Sequence, residues 1–150
     1  LPLIATFCLH LVAGRAAEFV EPLSEAHRRG AKWTPDPYAL AQFYGELLGW
    51  SISAEDQPGD RWVTLVNPDG GVDICFQQDP EYQPPTWPSN ERAQMLHLDF
   101  DVTDLETVQE RALRLGARML DDTPKTFRVF ADPAGHPFCL CFDSTANGQG

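Results

Sequence analysis

The sequence predicts an α+β protein in which one unit, a helix followed by three short strands, is used twice. Three observations predict it. Two helix-periodic stretches begin at Asp36 and Asp104, 68 positions apart, and end at Gly49 and Gly116, 67 positions apart. Each is followed by three alternating runs of strand length, and the turn NPDG of the first half is answered by DPAG in the second. Internal repetition is read before any single motif, because it assigns matching structural places to residues that share no identity.

The first helix is PYALAQFYGELLGW, where Leu40, Phe43, Tyr44, Leu47 and Leu48 recur with helical spacing behind an Asp36-Pro37 start and before Gly49. The second, DLETVQERALRLGA, places Leu105, Val108, Ala112 and Leu115 on one stripe, with Asp104 as N-cap and Gly116 as the stop. WSISAE, RWVTLVN and GVDICFQ follow the first, and ARMLDD, FRVFA and PFCLCF the second. A strand ahead of each helix completes a βαβββ module. In the second half it is LHLDFDV, with Leu96, Leu98, Phe100 and Val102 on one face and His97, Asp99 and Asp101 on the other. In the first half the expected strand is ATFCLHLV, whose Leu9-His10-Leu11 echoes Leu96-His97-Leu98. Residues 13–34 then read as an insert containing the helix-like AAEFVEPLSEAHRRGA, limited by Pro22. The chain therefore divides, within one structural domain, into a first module (1–78), a proline-rich connection (79–94) and a second module with a C-terminal tail (95–150). Tyr82 and Trp87 of the connection are expected to cover a cavity.

Composition narrows the function classes. A net charge of -11 over 150 residues repels phosphate, so neither nucleic acid nor an anionic membrane is an expected partner. Cys8, Cys75, Cys139 and Cys141 form no CxxC pair or zinc-finger spacing, and a chain of this length folds without disulfides, so a reducing cytoplasm is expected. The apolar opening LPLIATFCLHLVAG is too short to span a bilayer and has no basic region ahead of it.

The doubled layout, FYGELLGW, LHLDFDV, VQERALRLGAR and DPAGHPFCLC together resemble the vicinal-oxygen-chelate superfamily, specifically its small glyoxalase-like proteins of the glyoxalase, bleomycin-resistance and dioxygenase type. The resemblance covers residues 36–143 and implies two modules whose strands curl into a partly open barrel around a concave ligand cleft. It also implies a divalent ion, in metal-using members, held by His or Gln from the first strand and Glu from the last strand of each module. His97 matches the second module's first-strand ligand, and His10 the first module's. The last-strand position falls on Cys139, not Glu, and in the first half on Ile74, or on Asp73 and Cys75 if Gly70-Gly71 bulges. Thiolate in place of carboxylate does not preserve a site for a hard ion, so no catalytic metal is favoured. If one binds, His97, His10, Asp73 and Cys139 are its ligands.

The same residues also have structural readings. His97 reads as a cleft-wall histidine bonded to Asp99 or a carbonyl, and His136, after the turn glycine, as solvent-facing. Cys139 and Cys141 read as packing residues, with no nearby base to make a thiolate. Asp99 and Asp101 read as a hydrogen-bonded strand face rather than as general bases. The expected cleft is His97, Asp99, Asp101, Trp87, Tyr82, Cys139 and Cys141, with no catalytic residue assigned. The sequence is read as a glyoxalase-like protein, expected as a homodimer, that binds a small molecule without a catalytic metal. The alternative is a metal-dependent lyase, isomerase or dioxygenase acting on a small oxygenated substrate, and a pure docking domain is the third class.

Overall fold

The computed structural model describes residues 30–94 and 96–143. Along them run β1 (Gly30–Thr34), α1 (Pro37–Leu48), β2 (Ser51–Ile52), β3 (Trp62–Val66) and β4 (Ile74–Gln78), then β5 (Leu98–Val102), α2 (Leu105–Arg114), β6 (Arg118–Asp121), β7 (Phe127–Ala131) and β8 (Pro137–Phe142). The halves are the same βαβββ unit. Their sheet orders are β1-β4-β3-β2 and β5-β8-β7-β6. In each, the strand before the helix runs parallel to the last strand, and the remaining pairs are antiparallel. Among the described residues the two four-stranded sheets are not joined by strand pairing, which leaves the barrel partly open.

The helices begin and end where their capping chemistry dictates. Asp36 accepts from Ala39 N at 3.0 Å, Pro37 sits in the first turn, and Gly49 takes the left-handed conformation at φ 73°. Asp104 accepts from Thr107 N at 3.0 Å, with Arg111 and Arg114 in the last turn, where a helix favours positive charge. The burial differs: α1 sinks Leu40, Phe43, Tyr44, Leu47 and Leu48 into the core, whereas α2 buries Leu105, Val108 and Ala112. Each large apolar side chain so buried contributes about 1.5–3 kcal/mol before entropy is counted. Both modules feed one core. Tyr44 lies at its centre, its ring 5.8 Å from Phe76 of the first sheet and 5.9 Å from Phe138 of the second.

The register of LHLDFDV is as expected. Leu96, Leu98, Phe100 and Val102 are buried in one cluster with Leu105, Val108 and Ala112, while His97 and Asp99 are half-buried on the other face. A one-residue slip would have exchanged the two sets.

The first module's opening strand corrects the sequence reading. The strand that precedes α1 and pairs with β4, from Gly30 opposite Ile74 to Thr34 opposite Gln78, is β1, which occupies the place expected for ATFCLHLV. GAKWT falls within the 13–34 stretch that the sequence reads as an insert, and as β1 it places Lys32 where a core face calls for an apolar side chain. Lys32 is 0% exposed, its ammonium 3.5 Å from Asp132 Oδ2. His10, ATFCLHLV and the helix-like stretch of the N-terminal insert lie outside the described residues.

Candidate functional site

The pairing of β5 with β8 sets Asp99 opposite Cys139 and Asp101 opposite Cys141, on the face turned away from the helices. His97 closes the group. Its Nε2 is 3.2 Å from Cys139 Sγ and 3.2 Å from Asp99 Oδ1, and its Nδ1 is 2.8 Å from Gln94 Oε1. Gln94 Oε1 can only accept, so Nδ1 carries the proton of that bond. Nε2 is then the working nitrogen: it holds a second proton against Asp99 when the ring is charged, and it offers a lone pair toward the thiol when the ring is neutral.

Burial, reinforced by the Asp99 carboxylate and Cys141, pushes the Cys139 thiol up to about 12. It is therefore a protonated, 8% exposed side chain and not a nucleophile in this setting. Partial burial and the carboxylates of Asp143 and Asp99 raise Asp101 above the usual carboxylate range.

In the first module the matching register pair is Ala31 opposite Cys75, which supplies neither carboxylate nor imidazole. Cys75 is fully buried, 3.8 Å from Thr64 Oγ1. Asp73, a candidate ligand from the sequence, instead accepts from Asn67 N at 2.9 Å and so closes the NPDG turn. Among the described residues the metal-competent cluster is His97, Asp99 and Cys139, whose donor atoms lie within 4.8 Å of one another.

Comparison with known proteins places the chain. Residues 31–141 match the glyoxalase-like domain family. The chain belongs to that family. DnrV, an anthracycline biosynthesis protein of Streptomyces peucetius, is 29% identical over 119 residues, which is 71% of this chain and 43% of DnrV. The chain thus spans less than half the length of that relative. A glyoxalase/bleomycin resistance protein/dioxygenase family enzyme from Burkholderia phytofirmans PsJN superposes with a TM-score of 0.60 at 17% identity, covering 77% of this chain and 96% of that one. A mutant of the fosfomycin resistance protein FosX from Listeria monocytogenes, complexed with Mn(II) and a dihydroxypropylphosphonic acid, gives 0.57 at 17% identity, covering 79% and 90%. At such identities these likenesses show the fold alone.

The donor set of this glyoxalase-like chain tests whether it fits such an ion. A hard cation such as manganese takes several oxygens, and the cluster offers one carboxylate. One imidazole, one carboxylate and one thiol instead match the nitrogen, oxygen and sulfur ligands of zinc. Gln94 on the far ring nitrogen is the kind of partner that orients a metal-binding histidine.

The remaining sequence candidates are dispersed. Tyr82 packs against His136, ring centroids 5.0 Å apart with the planes tilted by 35°, and Trp87 is half-buried in a loop closed by Thr86 N donating to Arg92 O at 3.0 Å. His136, expected to face solvent, is 2% exposed and donates from Nε2 to Trp33 O at 2.7 Å. The turn folds it inward against β1, a contact across 103 positions that no local signal announces. Gln94 was also missed, because a polar residue three positions ahead of a strand histidine carries no periodic mark.

Proposed function

We propose that this glyoxalase-like protein binds a small molecule on the face carrying His97, Asp99 and Cys139, with His97 Nε2 as the hydrogen-bonding and proton-holding group and no hard catalytic ion. The observation that carries this reading is the asymmetry of the register pairs: Asp99 and Cys139 in the second module, Ala31 and Cys75 in the first. At that register position the second module supplies a carboxylate where the first has alanine. Asp99 orients the imidazole and stabilises its charged form, and the protonated thiol adds a weak donor. The acidic surface favours a neutral or cationic small ligand over a polyanion. A homodimer in the cytoplasm belongs to the same reading, and sedimentation velocity tests the oligomeric part.

One observation favours a second reading, a metal-dependent lyase, isomerase or dioxygenase: the three donor atoms of the cluster share one small volume. In that case His97, Asp99 and Cys139 hold a zinc-like ion, which would supply Lewis acidity toward a substrate oxygen. Thermal denaturation of protein prepared without added metal, repeated with zinc, nickel and manganese, separates the readings, because a ligand of the folded state raises Tm by mass action. No shift with any of the three is expected. Stabilisation by zinc that disappears in Cys139→Ala selects the metal reading, and equal stabilisation by manganese overturns the donor-set argument.

A further inference from the structure

A cavity of about 340 Å³ lies between the connection and the end of β1, lined among others by Trp33, Asp79, Glu81, Tyr82, Arg92 and His136. None of His97, Asp99 and Cys139 lines it, so it is distinct from the cluster on β5 and β8.

Its walls are held in place. The connection leaves β4 with Asp79 N bonded to Thr34 O at 2.9 Å, and Asp79 Oδ1 accepts from Glu81 N at 2.9 Å. Farther along, Pro84 packs so tightly on the DPAG turn that a Cβ on Gly135 would meet Pro84 Cβ at 2.6 Å. Arg92 Nη1 donates to Pro84 O at 2.6 Å, which ties the guanidinium to the loop's own backbone. The opposite wall is fixed by the His136 bond to Trp33 O and by the tilted ring contact of Tyr82 with His136. Such a cavity needs little ordering when a ligand enters.

The lining chemistry indicates the class of ligand. Trp33 is 42% exposed, an unusually open position for an indole on a sheet strand. It faces a space whose other walls include the Tyr82 ring and two carboxylates. Burial and the nearby Lys32 charge lower His136 to about 4, so it adds no positive charge at neutral pH. Of the charged side chains lining it, Asp79 and Glu81 are anionic and Arg92, held against the Pro84 carbonyl, is cationic, so the lining carries a net negative charge. An indole face beside carboxylates is the arrangement that attracts an organic cation. We infer that this cavity is a binding site for a planar aromatic cation, stacked on Trp33 and neutralised by Asp79 and Glu81.

The test uses proflavine, a planar aromatic cation, followed by fluorescence anisotropy, with pyrene sulfonate as the planar anion and tetramethylammonium as the cation without a ring. Saturable binding of one proflavine per chain is expected, with pyrene sulfonate and tetramethylammonium each at least tenfold weaker. Trp33→Ala and the pair Asp79→Asn with Glu81→Gln should each weaken it about tenfold. The asparagine keeps the acceptor that caps Glu81 N, and circular dichroism verifies that each variant is folded. His97→Ala should leave it unchanged, which separates this site from the cluster on β5 and β8. Non-saturable binding, equal binding of the sulfonate, or loss in His97→Ala with retention in Trp33→Ala overturns the inference.

Discussion

Where the second module sets Asp99 opposite Cys139, the first sets Ala31 opposite Cys75. Where the first carries Lys32 and Tyr44 toward the core, the positions 68 residues later carry Phe100 and Ala112. One scaffold has thus divided its polar chemistry. The second module presents His97, Asp99 and Asp101 on the half-open face, and the first buries Lys32 and Tyr44 at the junction. There they converge on Asp132 of the DPAG turn, whose carboxylate accepts from Lys32 Nζ at 3.5 Å, Tyr44 Oη at 2.6 Å, and the N–H groups of Ala134 and His136 at 3.0 Å each. Burial lowers Lys32 below the ordinary lysine range, opposed by Asp132, and burial with the Asp132 charge raises Tyr44 well above the tyrosine range. A fold that repeats its backbone need not repeat its polar contacts, because the backbone follows from patterning while each polar contact needs its own partner.

The largest effect should come from the acid at the junction. Asp132→Asn removes the countercharge of a fully buried ammonium and should cost about 3–5 kcal/mol in urea unfolding. Lys32→Met, which gives the first module an apolar residue where the second has Phe100, leaves the buried Asp132 carboxylate without its countercharge and should cost less than Asp132→Asn, roughly 1–3 kcal/mol. Asp132 keeps Tyr44 and two backbone donors in that variant. Equal losses in the two variants would erase the distinction between the hub and its satellites.

Next comes the acid limb of stability. His136 is held at about 4 in the folded protein, against 6.5 for a free histidine, by burial and by Lys32. The unfolded chain therefore binds this proton first. Its contribution is complete above pH 6.5 and is lost as pH falls toward 4, about 3 kcal/mol in all. His136→Gln keeps a donor toward Trp33 O but does not titrate, so the slope of unfolding free energy between those pH values should flatten. An unchanged slope would assign the acid sensitivity to carboxylates elsewhere.

The smallest effect is on reactivity. Asp99→Ala makes the second module's register pair resemble Ala31 and Cys75, and removes a charge that holds the Cys139 thiol at about 12. Alkylation of Cys139 by iodoacetamide at alkaline pH, resolved by mass spectrometry, should quicken, by roughly tenfold for each pKa unit recovered. No change would mean that burial alone sets the thiol.

Much of this arrangement was legible in the residues themselves. Both helices and their caps follow from apolar spacing and from Asp36, Gly49, Asp104 and Gly116, since a helix face and an N-cap are settled within a few positions. The alternation of LHLDFDV placed His97 and Asp99 together, and the strand parity of PFCLCF brought Cys139 and Cys141 to the same face. The sequence leaves Asp73 open as a conditional metal ligand because a turn acceptor and a strand ligand have the same composition, and in the structure its carboxylate accepts from Asn67 N.

The sequence by itself determined the doubled βαβββ plan, the faces of its strands and the family resemblance, because these rest on patterns repeated within short windows. Only the tertiary structure decided that GAKWT is β1, that His136 turns inward, and that Gln94 holds His97. A lysine on a core face is unfavourable until an acid 100 positions away neutralises it. A histidine after a turn glycine reads as exposed until a carbonyl from the other module meets it. The Lys32 and His136 placements are stabilised by partners about 100 positions away, which meet only once the two modules have packed, and Gln94 lies close to His97 in sequence but follows no periodic pattern.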